Sequence, residues 1–517
     1  MSLPLDLLMF AALIAAILIG YPVSFTLAGV ATLFAFLGLV TGQFDMGLLG
    51  ALAQRVFGLM TNTVLIAIPL FVFMGVVLEK SRIAEDLLET AGRLFGTLRG
   101  GLGISVVLVG ALLAASTGIV GATVVAMGMI ALPTMLRNGY DPKLASGIVC
   151  TSGTLGQIIP PSTLLIILSD VMSNAYQQAQ FREGKFTIET ISVGQIFAAA
   201  LLPGLTLVGI YIVYLLAKAW LSPASAPALE KADHAPGRVE IAAAILPPVL
   251  LIIAVLGSIL GGIATPGEAA SVGAVGALLM ASARLAGGAK RLVIAGTLAL
   301  ALLALLAGVH PVRLQRDDAD LVDWIIGAIA TGLVAIAVAA VVQALVRAHR
   351  ADVLKPVMSS TLSVTAMIFA TILTASVFSL VFRGLGGDAR VEEILSNMPG
   401  GPQGALVFVM ALIFVLGFFL DFVEISVILL PLVAPVLILM GHDPVWLSIL
   451  IAINLQTSFL TPPFGFSLFY LRGAAPKEVT TGMIYRGVLP FIALQIGAIG
   501  LIWMWPQIAT TLPKLVF

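Results

Sequence analysis

The hydrophobic pattern of the chain consists of long apolar stretches separated by short polar segments. A run of about 20 apolar residues can cross a bilayer as a helix. The pattern therefore predicts membrane spans near residues 4–20, 22–40, 61–79, 144–172, 193–217, 241–260, 266–283, 292–309, 322–346, 356–382, 444–471 and 484–507. Two more apolar segments, 101–136 and 402–440, are too long for one span and short for two. Each is predicted to be a re-entrant helical hairpin.

Composition supports an integral membrane protein, because 60% of the residues are hydrophobic and only 10% are charged. Soluble domains carry about 25% charged residues. The formal net charge is zero, so nothing suggests a nucleic-acid partner. The four histidines are scattered, there is one cysteine, and no GxxxxGK[ST] loop for ATP occurs. The first apolar segment follows an acidic start and is interpreted as a retained helix rather than a signal peptide.

The distribution of lysine and arginine predicts the orientation. With both hairpins re-entrant, 18 of the 26 basic residues fall on one face and 8 on the other. The richer face is expected to be cytoplasmic. The first hairpin then enters from the cytoplasm and the second from outside, although a different hairpin count would redistribute the charges.

An internal repeat relates two segments that each follow a hairpin. NGYDPKLASGIVCTSGTLGQIIPPS (138–162) aligns with MGHDPVWLSILIAINLQTSFLTPPF (440–464) at a constant offset of 302, without a gap. The matched positions are Gly139, Asp141, Pro142, Pro160 and Pro161 with Gly441, Asp443, Pro444, Pro462 and Pro463. The charge count places the two GxDP loops on opposite faces. This combination indicates an inverted repeat, the architecture of many secondary transporters.

The two proline pairs interrupt segments that are otherwise apolar enough to span the membrane. A proline removes a helical hydrogen bond, and lipid offers no water to replace it. In transporters, discontinuous helices of this kind bind ions and substrate near the midplane. Simple proline kinks are the alternative, but two matched pairs favour the functional interpretation. The predicted fold is an all-α polytopic membrane protein, an inverted repeat with two re-entrant helical hairpins and two discontinuous helices.

Oxygen-bearing residues surround the predicted breaks and hairpin apices, and such ligands suit a small alkali ion. They are Thr151, Ser152, Thr154 and Gly156 in the first repeat, Asn454, Gln456, Thr457, Ser458 and Thr461 in the second, and Ser116, Thr117, Gly118, Gly417 and Asp421 at the apices. Thr154, Gln456 and Thr457 are also weak candidates for substrate contacts. Alternatively, the hydroxyls bond back to their own helices. Asp421 is either a functional or gating carboxylate or the cap of a hairpin helix.

The motifs resemble those of one transporter family. They are ASTGIVGATVVAMGMIALPTM (115–135), GYDP (139–142), GQIIPPS (156–162), ATPGEAA (264–270), GFFLD (417–421) and TSFLTPPFG (457–465). The chain resembles the large membrane subunit (DctM-type) of the tripartite ATP-independent periplasmic (TRAP) transporters, with an STGIVGATVV variant similar to the mannitol/chloroaromatic subgroup. The resemblance covers most of residues 1–284 and 355–510.

The resemblance implies an elevator-type carrier of the bacterial inner membrane and no enzymatic activity. It implies sodium-driven uptake of an organic acid, with sodium as the coupling ion and no other cofactor. The implied partners are a periplasmic substrate-binding protein and a small four-helix membrane subunit. The first sodium site would involve Thr117, Val120, Gly156, Ile159 and Pro161, joined by Ser116 and Gly118 at the apex. The second would involve Gly417, Ser458, Thr461 and Phe464, with Asp421 nearby.

The sequence departs from the family pattern in two respects. Ile119, Val120 and Ser458 differ from the residues of many relatives. A metal ligand supplied by a backbone carbonyl would be kept after such substitutions, whereas a ligand supplied by the side chain would be lost. Residues 285–354 are interpreted as an insertion of two helices joined by HPVRLQRDDAD (310–320). The expected domains are 1–100 (N-terminal scaffold), 101–192 (first transport half), 193–284 (linking and scaffold helices), 285–354 (insertion), 355–400 (scaffold helix and loop), 401–475 (second transport half) and 476–517 (C-terminal helix).

Three other functions would account for parts of this pattern. A self-sufficient sodium/carboxylate symporter of the same superfamily, without a binding protein, remains open because it shares the hairpins and broken helices. An intramembrane hydrolase would need a metal-binding or nucleophilic constellation, for which the scattered histidines and one cysteine give no support. A purely structural membrane scaffold does not account for the matched breaks.

Overall fold

The computed structural model describes residues 4–118, 120–228, 237–285, 290–309 and 321–517, and every extended regular element in these ranges is a helix. The first half contains α1 (Leu5–Ile19), α2 (Val23–Thr41), α3 (Ala51–Met60), α4 (Ala67–Lys80), α5 (Ile83–Phe95), α6 (Gly101–Thr117), α7 (Val120–Arg137), α8 (Pro142–Thr154), α9 (Thr163–Arg182), α10 (Val193–Leu221), α11 (Arg238–Leu260) and α12 (Pro266–Leu285). The second half contains α13 (Lys290–Val309), α14 (Leu321–Arg350), α15 (Leu354–Gly384), α16 (Gly387–Ser396), α17 (Gly401–Leu416), α18 (Phe422–Ile428), α19 (Leu430–Leu439), α20 (Pro444–Leu460), α21 (Phe466–Ala474), α22 (Thr481–Met504) and α23 (Gln507–Val516).

Each predicted span coincides with a helix or a broken helix. Within the described ranges, eight helices are long and apolar enough to cross a membrane. The predicted spans 4–20 and 61–79 correspond to shorter helices, α1 with 15 residues and α4 with 14. The sequence did not predict α3, α5, α16 and α23, which have 10 to 13 residues. These short helices mix polar and apolar residues, as in IAEDLLETAGRLF of α5. Their apolar runs are too short to be recognised as membrane spans.

Both predicted hairpins are present as packed helical pairs. In the first, α6 and α7 lie against each other and reverse at Gly118. In the second, α17 is followed by α18 and α19, which bend by 59° relative to each other. Pro431 lies in the first turn of α19. Because proline has no backbone N–H group, it cannot donate a hydrogen bond to α18, and the helical bonding is interrupted at the bend.

Close approaches at small residues fix the first hairpin around α8. A Cβ added at Gly110 of α6 would lie 2.5 Å from the Cβ of Ser152, and one added at Gly153 would lie 2.4 Å from Val124 Cγ2 of α7. A larger residue at either glycine would push an arm of the hairpin away. Helix α8 therefore lies between the two arms and contacts both.

The two repeats exchange elements across a pseudo-twofold relation. The second arm of hairpin 1, α7, packs on α21, and the second arm of hairpin 2, α18 and α19, packs on α9. Likewise α22 packs on α8, while α10 packs on α20. The α8–α22 contact is tight, since a Cβ at Gly147 would lie 2.2 Å from the carbonyl oxygen of Gly487. This reciprocal packing confirms the predicted repeat architecture.

Helices α13 and α14 of the segment 285–354 pack on each other and on α12 around a small separate core. The two helices approach each other closely at Gly296 and Ala340, where a Cβ added at Gly296 would lie 2.3 Å from the alanine methyl group. The two predicted helices are therefore present, whereas the connecting residues 310–320 lie outside the described residues. That this segment is an insertion, and the division into domains, stay predictions.

Candidate functional site

The helix breaks lie where the two proline pairs were predicted to place them. Helix α8 ends at Thr154 and continues as one 3₁₀ turn, Leu155–Gln157, before α9 begins at Thr163. Helix α20 ends at Leu460 and α21 begins at Phe466. The peptide bonds Pro160–Pro161 and Pro462–Pro463 are both cis. Each break thus leaves a stretch of non-helical backbone inside the protein.

The GxDP motifs set the start of each broken helix. Gly139 and Gly441 have φ of +77° and +94°, a region that glycine adopts without strain. Asp141 then caps α8 by accepting from the Lys143 amide at 3.0 Å, and Asp443 caps α20 by accepting from the Trp446 amide at 2.8 Å. With a proline at the first helical position, the motif starts both helices in the same way. The matched starts and ends make the two segments equivalent structures.

The side chains of Thr154 and Gln456 meet at the centre of the repeat. Gln456 Nε2 donates to Thr154 Oγ1 at 3.3 Å, and both residues are fully buried. The two positions differ by 302, the offset of the repeat. A contact between equivalent residues places the pseudo-twofold axis between them. These two weak substrate candidates therefore join the halves, and Thr457, the third, donates instead to the Ile453 carbonyl at 2.7 Å.

The apex of hairpin 1 lies against the start of α9. Gly118 has φ +60°, and a Cβ there would lie 2.8 Å from Thr163 Oγ1 and 3.2 Å from the Thr163 amide nitrogen. Thr163 Oγ1 is buried and has no hydrogen-bond partner. Val120 is buried close behind the apex. The apex thus meets the N-terminus of α9. The first amides of a helix have no intrahelical acceptor, so this position favours oxygen atoms and anions.

The remaining predicted residues of the first sodium site follow the break itself. Gly156 lies in the 3₁₀ turn, and Ile159 contacts α10, where a Cβ at Gly204 would lie 3.2 Å from Ile159 Cγ1. The side chains of Ser116 and Thr117 lie outside the described residues. The structure therefore brings Gly118 and the break together and leaves the role of the two hydroxyl side chains a prediction.

The apex of hairpin 2 lies against the end of α20. A Cβ at Gly417 would lie 2.1 Å from Ser458 Oγ and 2.7 Å from Ser458 Cβ. Phe419 of the apex packs on Phe464 of the break, with ring centroids 5.4 Å apart. Three predicted residues of the second site, Gly417, Ser458 and Phe464, are thus held at one junction. Thr461 is the last residue before the proline pair and caps α20.

Hydroxyl groups at the breaks bond back to their own helices, as the simpler interpretation expected. Ser458 Oγ donates to the Leu455 carbonyl at 2.8 Å, Thr461 Oγ1 to Thr457 at 2.7 Å, and Thr154 Oγ1 to Thr151 at 2.9 Å. Such a bond uses the single proton of a hydroxyl group and leaves its oxygen lone pairs free to accept. The observed geometry is therefore compatible with either a structural or a ligating role.

Asp421 caps a helix, one of its two predicted roles. Its Oδ1 accepts from the Phe422 amide at 2.7 Å, and Glu424 Oε2 accepts from the Asp421 amide at 2.9 Å. The two residues form a capping box at the start of α18. This arrangement fixes the turn between the arms of hairpin 2. It accounts for the carboxylate without requiring an ion, so a gating role stays a prediction.

The structure also assembles residues that the sequence analysis did not select. Arg55 of α3 and Arg383 of α15 line one cavity with Asp170 of α9, close to Pro431 of hairpin 2. Asn62 Nδ2 donates to Asp170 Oδ1 at 2.8 Å, so α9 is bonded to the segment before α4. No local motif marks these residues, because they are separated by more than a hundred positions. One signal in the sequence relates the two arginines: the predicted topology puts Arg55 and Arg383 among the 8 basic residues of the less basic face.

No group of three or more histidine, cysteine, aspartate or glutamate side chains suited to a metal occurs in the part of the chain that the structure describes. The oxygen atoms at the breaks are carbonyls and hydroxyls, and the carboxylates of Asp421 and Glu424 are held by backbone amides. This donor set is weakly charged. It fits a monovalent hard cation better than a transition metal.

Comparisons with known proteins agree with this architecture. The family described as "Tripartite ATP-independent periplasmic transporter, DctM component" matches residues 10–314 and 322–508. The C4-dicarboxylate TRAP transporter large permease protein DctM of Vibrio cholerae is 27% identical, over 98% of this chain and 97% of that protein. The ectoine TRAP transporter large permease protein TeaC of Halomonas elongata is 24% identical, over 99% of each chain.

A solved structure shows the same fold at lower sequence similarity. The crystal structure of the YdaH transporter of Alcanivorax borkumensis superposes with a TM-score of 0.55 and 15% identity, covering 89% of this chain and 88% of that one. The family match extends over both broken helices and both hairpins, and the relatives are transporter permeases rather than enzymes. The chain is a multi-pass membrane protein and belongs to the DctM component family of the tripartite ATP-independent periplasmic transporters.

Proposed function

We propose that the protein is the large permease subunit of a TRAP system that takes up an organic acid across the bacterial inner membrane, driven by sodium. The observation that carries this proposal is the pairing of each hairpin apex with a helix break. Gly118 lies against Thr163, and Gly417 lies against Ser458, in the two halves of one repeat. The first contact lies just after its helix break and the second just before its own, so each half provides one junction of carbonyls, hydroxyls and helix ends at which we place a cation.

The proposed substrate class is a small carboxylate. Relatives named for C4-dicarboxylates, ectoine and sialic acid all belong to this family, and each of these compounds carries a carboxylate group. Bound sodium ions at the breaks would supply positive charge beside the free amides at the start of α9. Sodium binding would then favour binding of the anion, which is the coupling that a symporter needs.

The proposed mechanism is an elevator motion. Hairpins and broken helices form one interlocked body through the α7–α21 and α19–α9 contacts. The hydrogen bond Asn62–Asp170 and the packing of α6 on α5 and of α18 on α15 join that body to the helices around it, so the proposed motion requires these contacts to slide or re-form. The proposed partners are a small membrane subunit and a periplasmic substrate-binding protein. A self-sufficient sodium/carboxylate symporter remains the second candidate.

Sodium binding is tested by the thermal stability of the purified protein in detergent, titrated with sodium against potassium at constant ionic strength. A ligand at 100 times its Kd stabilises by about 2.7 kcal/mol. We expect saturable stabilisation by sodium alone and a weaker sodium response in Thr461→Val, which removes one oxygen atom at the second break. Thr206→Val is the matched control, because Thr206 Oγ1 makes the same kind of bond, to the Leu202 carbonyl at 2.8 Å, at an exposed position on α10.

Identical melting curves in sodium and potassium would mean one of two things: the sites form only with the small membrane subunit present, or protons rather than sodium are the coupling ion. An unchanged response in Thr461→Val would remove that residue from the site. The partner proposal needs a separate assay, namely uptake into vesicles with and without the binding protein. Uptake by the membrane components alone would support the self-sufficient symporter instead.

A further inference from the structure

The cavity that holds Arg55 and Arg383 lies apart from the helix breaks. Its volume is about 460 Å³, within the range of small-molecule sites. Helices α3 and α15 form one wall, and α9 and hairpin 2 form the other. Along α9 the cavity extends from Ile167, about 6 Å beyond the first residue of that helix, to Gln178, about 16 Å further on. The cavity therefore runs along α9, and its near end lies about one helical turn from the start of that helix.

Neither arginine of this cavity forms an ion pair with an acidic side chain of the described residues. Among the described residues, Arg182, Arg284 and Arg390 form ion pairs with carboxylates, whereas Arg55 and Arg383 form none. Arg55 Nη1 donates to the Ser376 carbonyl at 3.4 Å. Arg383 Nη2 donates to the Pro431 carbonyl at 3.1 Å and to Gln178 Oε1 at 3.3 Å. Both guanidinium groups thus donate their hydrogen bonds to neutral oxygen acceptors.

Several donors of the two guanidinium groups remain available. Each guanidinium has five N–H donors in a planar fork, of which Arg55 uses one and Arg383 two in the contacts above. Arg383 Nε is buried and has no hydrogen-bond partner. Asp170 is the one acidic residue lining the cavity, and Asn62 holds it, so the ionised groups of the cavity sum to a net charge of +1. Partly buried positive charge without a counter-ion is costly, and an anion in the cavity would remove that cost.

We propose that this cavity binds a small organic carboxylate through Arg55 and Arg383, at a site distinct from the helix breaks. The planar guanidinium matches a carboxylate with two parallel hydrogen bonds, which favours this anion over a spherical one. The arginines belong to α3 and α15, while the opposite wall belongs to the interlocked body of hairpins and broken helices. A carboxylate here would bridge the two bodies. The inference takes only the class of anion from the proposed function.

The test uses the purified full-length chain in a sodium-free buffer, which separates this site from the proposed sodium-dependent one. Potassium acetate, succinate, 2-oxoglutarate and gluconate are titrated against potassium chloride at equal ionic strength, and the melting temperature is recorded. At least one acid should stabilise the wild type saturably. Arg55→Gln and Arg383→Gln should each raise its apparent Kd by about tenfold or more, the loss expected for a charged hydrogen bond. Lys514→Gln, which changes the net charge equally at an exposed position, should bind as the wild type does.

Two results would overturn the proposal: no acid stabilises the protein, or the arginine variants bind as tightly as Lys514→Gln. A third arm adds short-chain phosphatidylglycerol. Stabilisation by this lipid alone, lost in the arginine variants, would identify the cavity as a lipid-headgroup site and also overturn the proposal. The sodium titration of the same protein without acid reports on the proposed function separately, so the two can fail independently.

A measurement on the wild type covers the case in which an arginine variant does not fold. Phenylglyoxal modifies accessible arginines, and peptide mass spectrometry reports the extent at each position. The stabilising acid, or succinate if none stabilises, should slow modification of Arg55 and Arg383 and leave Arg137 unchanged, since Arg137 lies outside the cavity. Equal modification rates with and without the acid at all three arginines would contradict the proposal.

Discussion

Replacing Gly417 with alanine tests the junction between hairpin 2 and the second break. Gly417 has helical backbone angles, φ −65° and ψ −5°, so alanine causes no backbone strain there. The added methyl group would however lie 2.1 Å from Ser458 Oγ and 2.7 Å from Ser458 Cβ. Real Cβ atoms do not approach other heavy atoms so closely. The apex of the hairpin or the end of α20 must therefore move.

The magnitude follows from two opposing effects. Overpacking a well-packed interior costs about 1–3 kcal/mol. Alanine in place of glycine within a helix gains about 0.5–1 kcal/mol. The net loss for Gly417→Ala is therefore expected to lie between 0 and about 2.5 kcal/mol. The clash involves two atoms of the Ser458 side chain, so substitutions at Ser458 can remove the clashing atoms one at a time.

The assay is equilibrium unfolding in mixed detergent micelles of four proteins: the wild type, Gly417→Ala, and Gly417→Ala combined with Ser458→Ala or Ser458→Gly. Alanine at 458 removes Oγ but keeps the Cβ at 2.7 Å, and glycine removes both atoms. The coupling energy with Gly417→Ala should be larger for Ser458→Gly than for Ser458→Ala, because glycine in a helix itself costs about 1 kcal/mol and only the coupling separates that cost from relief of the clash. The single substitutions at Ser458 complete the double-mutant cycle, whose coupling energy should be about 0.5–3 kcal/mol. A coupling energy near zero would refute the reasoning, since the apex would then not rest on Ser458.

Two further glycines give sharp expectations. Gly118→Ala should destabilise by at least about 1 kcal/mol, because it combines positive φ with a contact 2.8 Å from Thr163 Oγ1; Gly42→Ala, at φ +73° with nothing within 4 Å, isolates the cost of φ alone and should cost less. Gly147→Ala should cost about 1–3 kcal/mol by forcing α8 away from α22, whereas Gly497→Ala, with open space around it, should be neutral or stabilising. Melting temperatures of the four variants check both pairs. Equal losses within either pair would contradict the packing described here.

Much of the fold could be predicted from the sequence, because each membrane-spanning helix is visible as a long run of apolar residues. Each spanning helix must be apolar over its whole length, so its position can be found without knowing its neighbours. The repeat added the relation between the halves, since GxDP and the proline pairs mark both ends of a broken helix. The same rule explains the missed helices. Short segments such as α5 and α16 bury one face only, and their apolar residues do not form a long run.

The candidate site was predictable only where chemistry followed from local sequence. Gly417 and Ser458 were selected, and the structure places them in contact, but the contact itself depends on how the hairpin folds back on α20. The arginine cavity shows the limit more clearly. Arg55 and Arg383 belong to different helices, and only tertiary packing brings both to one cavity. A pattern search along one segment cannot find a site made from separate segments.

The hydrogen bond between Thr154 and Gln456 has a consequence for how the fold arose. In a symmetric pair of identical chains, a residue on the twofold axis meets its own copy, so both partners must be the same residue type. Threonine and glutamine each carry a donor and an acceptor, and either could have bonded to itself in such a pair. Joining two copies into one chain releases that restriction. The two unlike partners, 302 positions apart, form a pair that cannot occur on the axis of a dimer of identical chains.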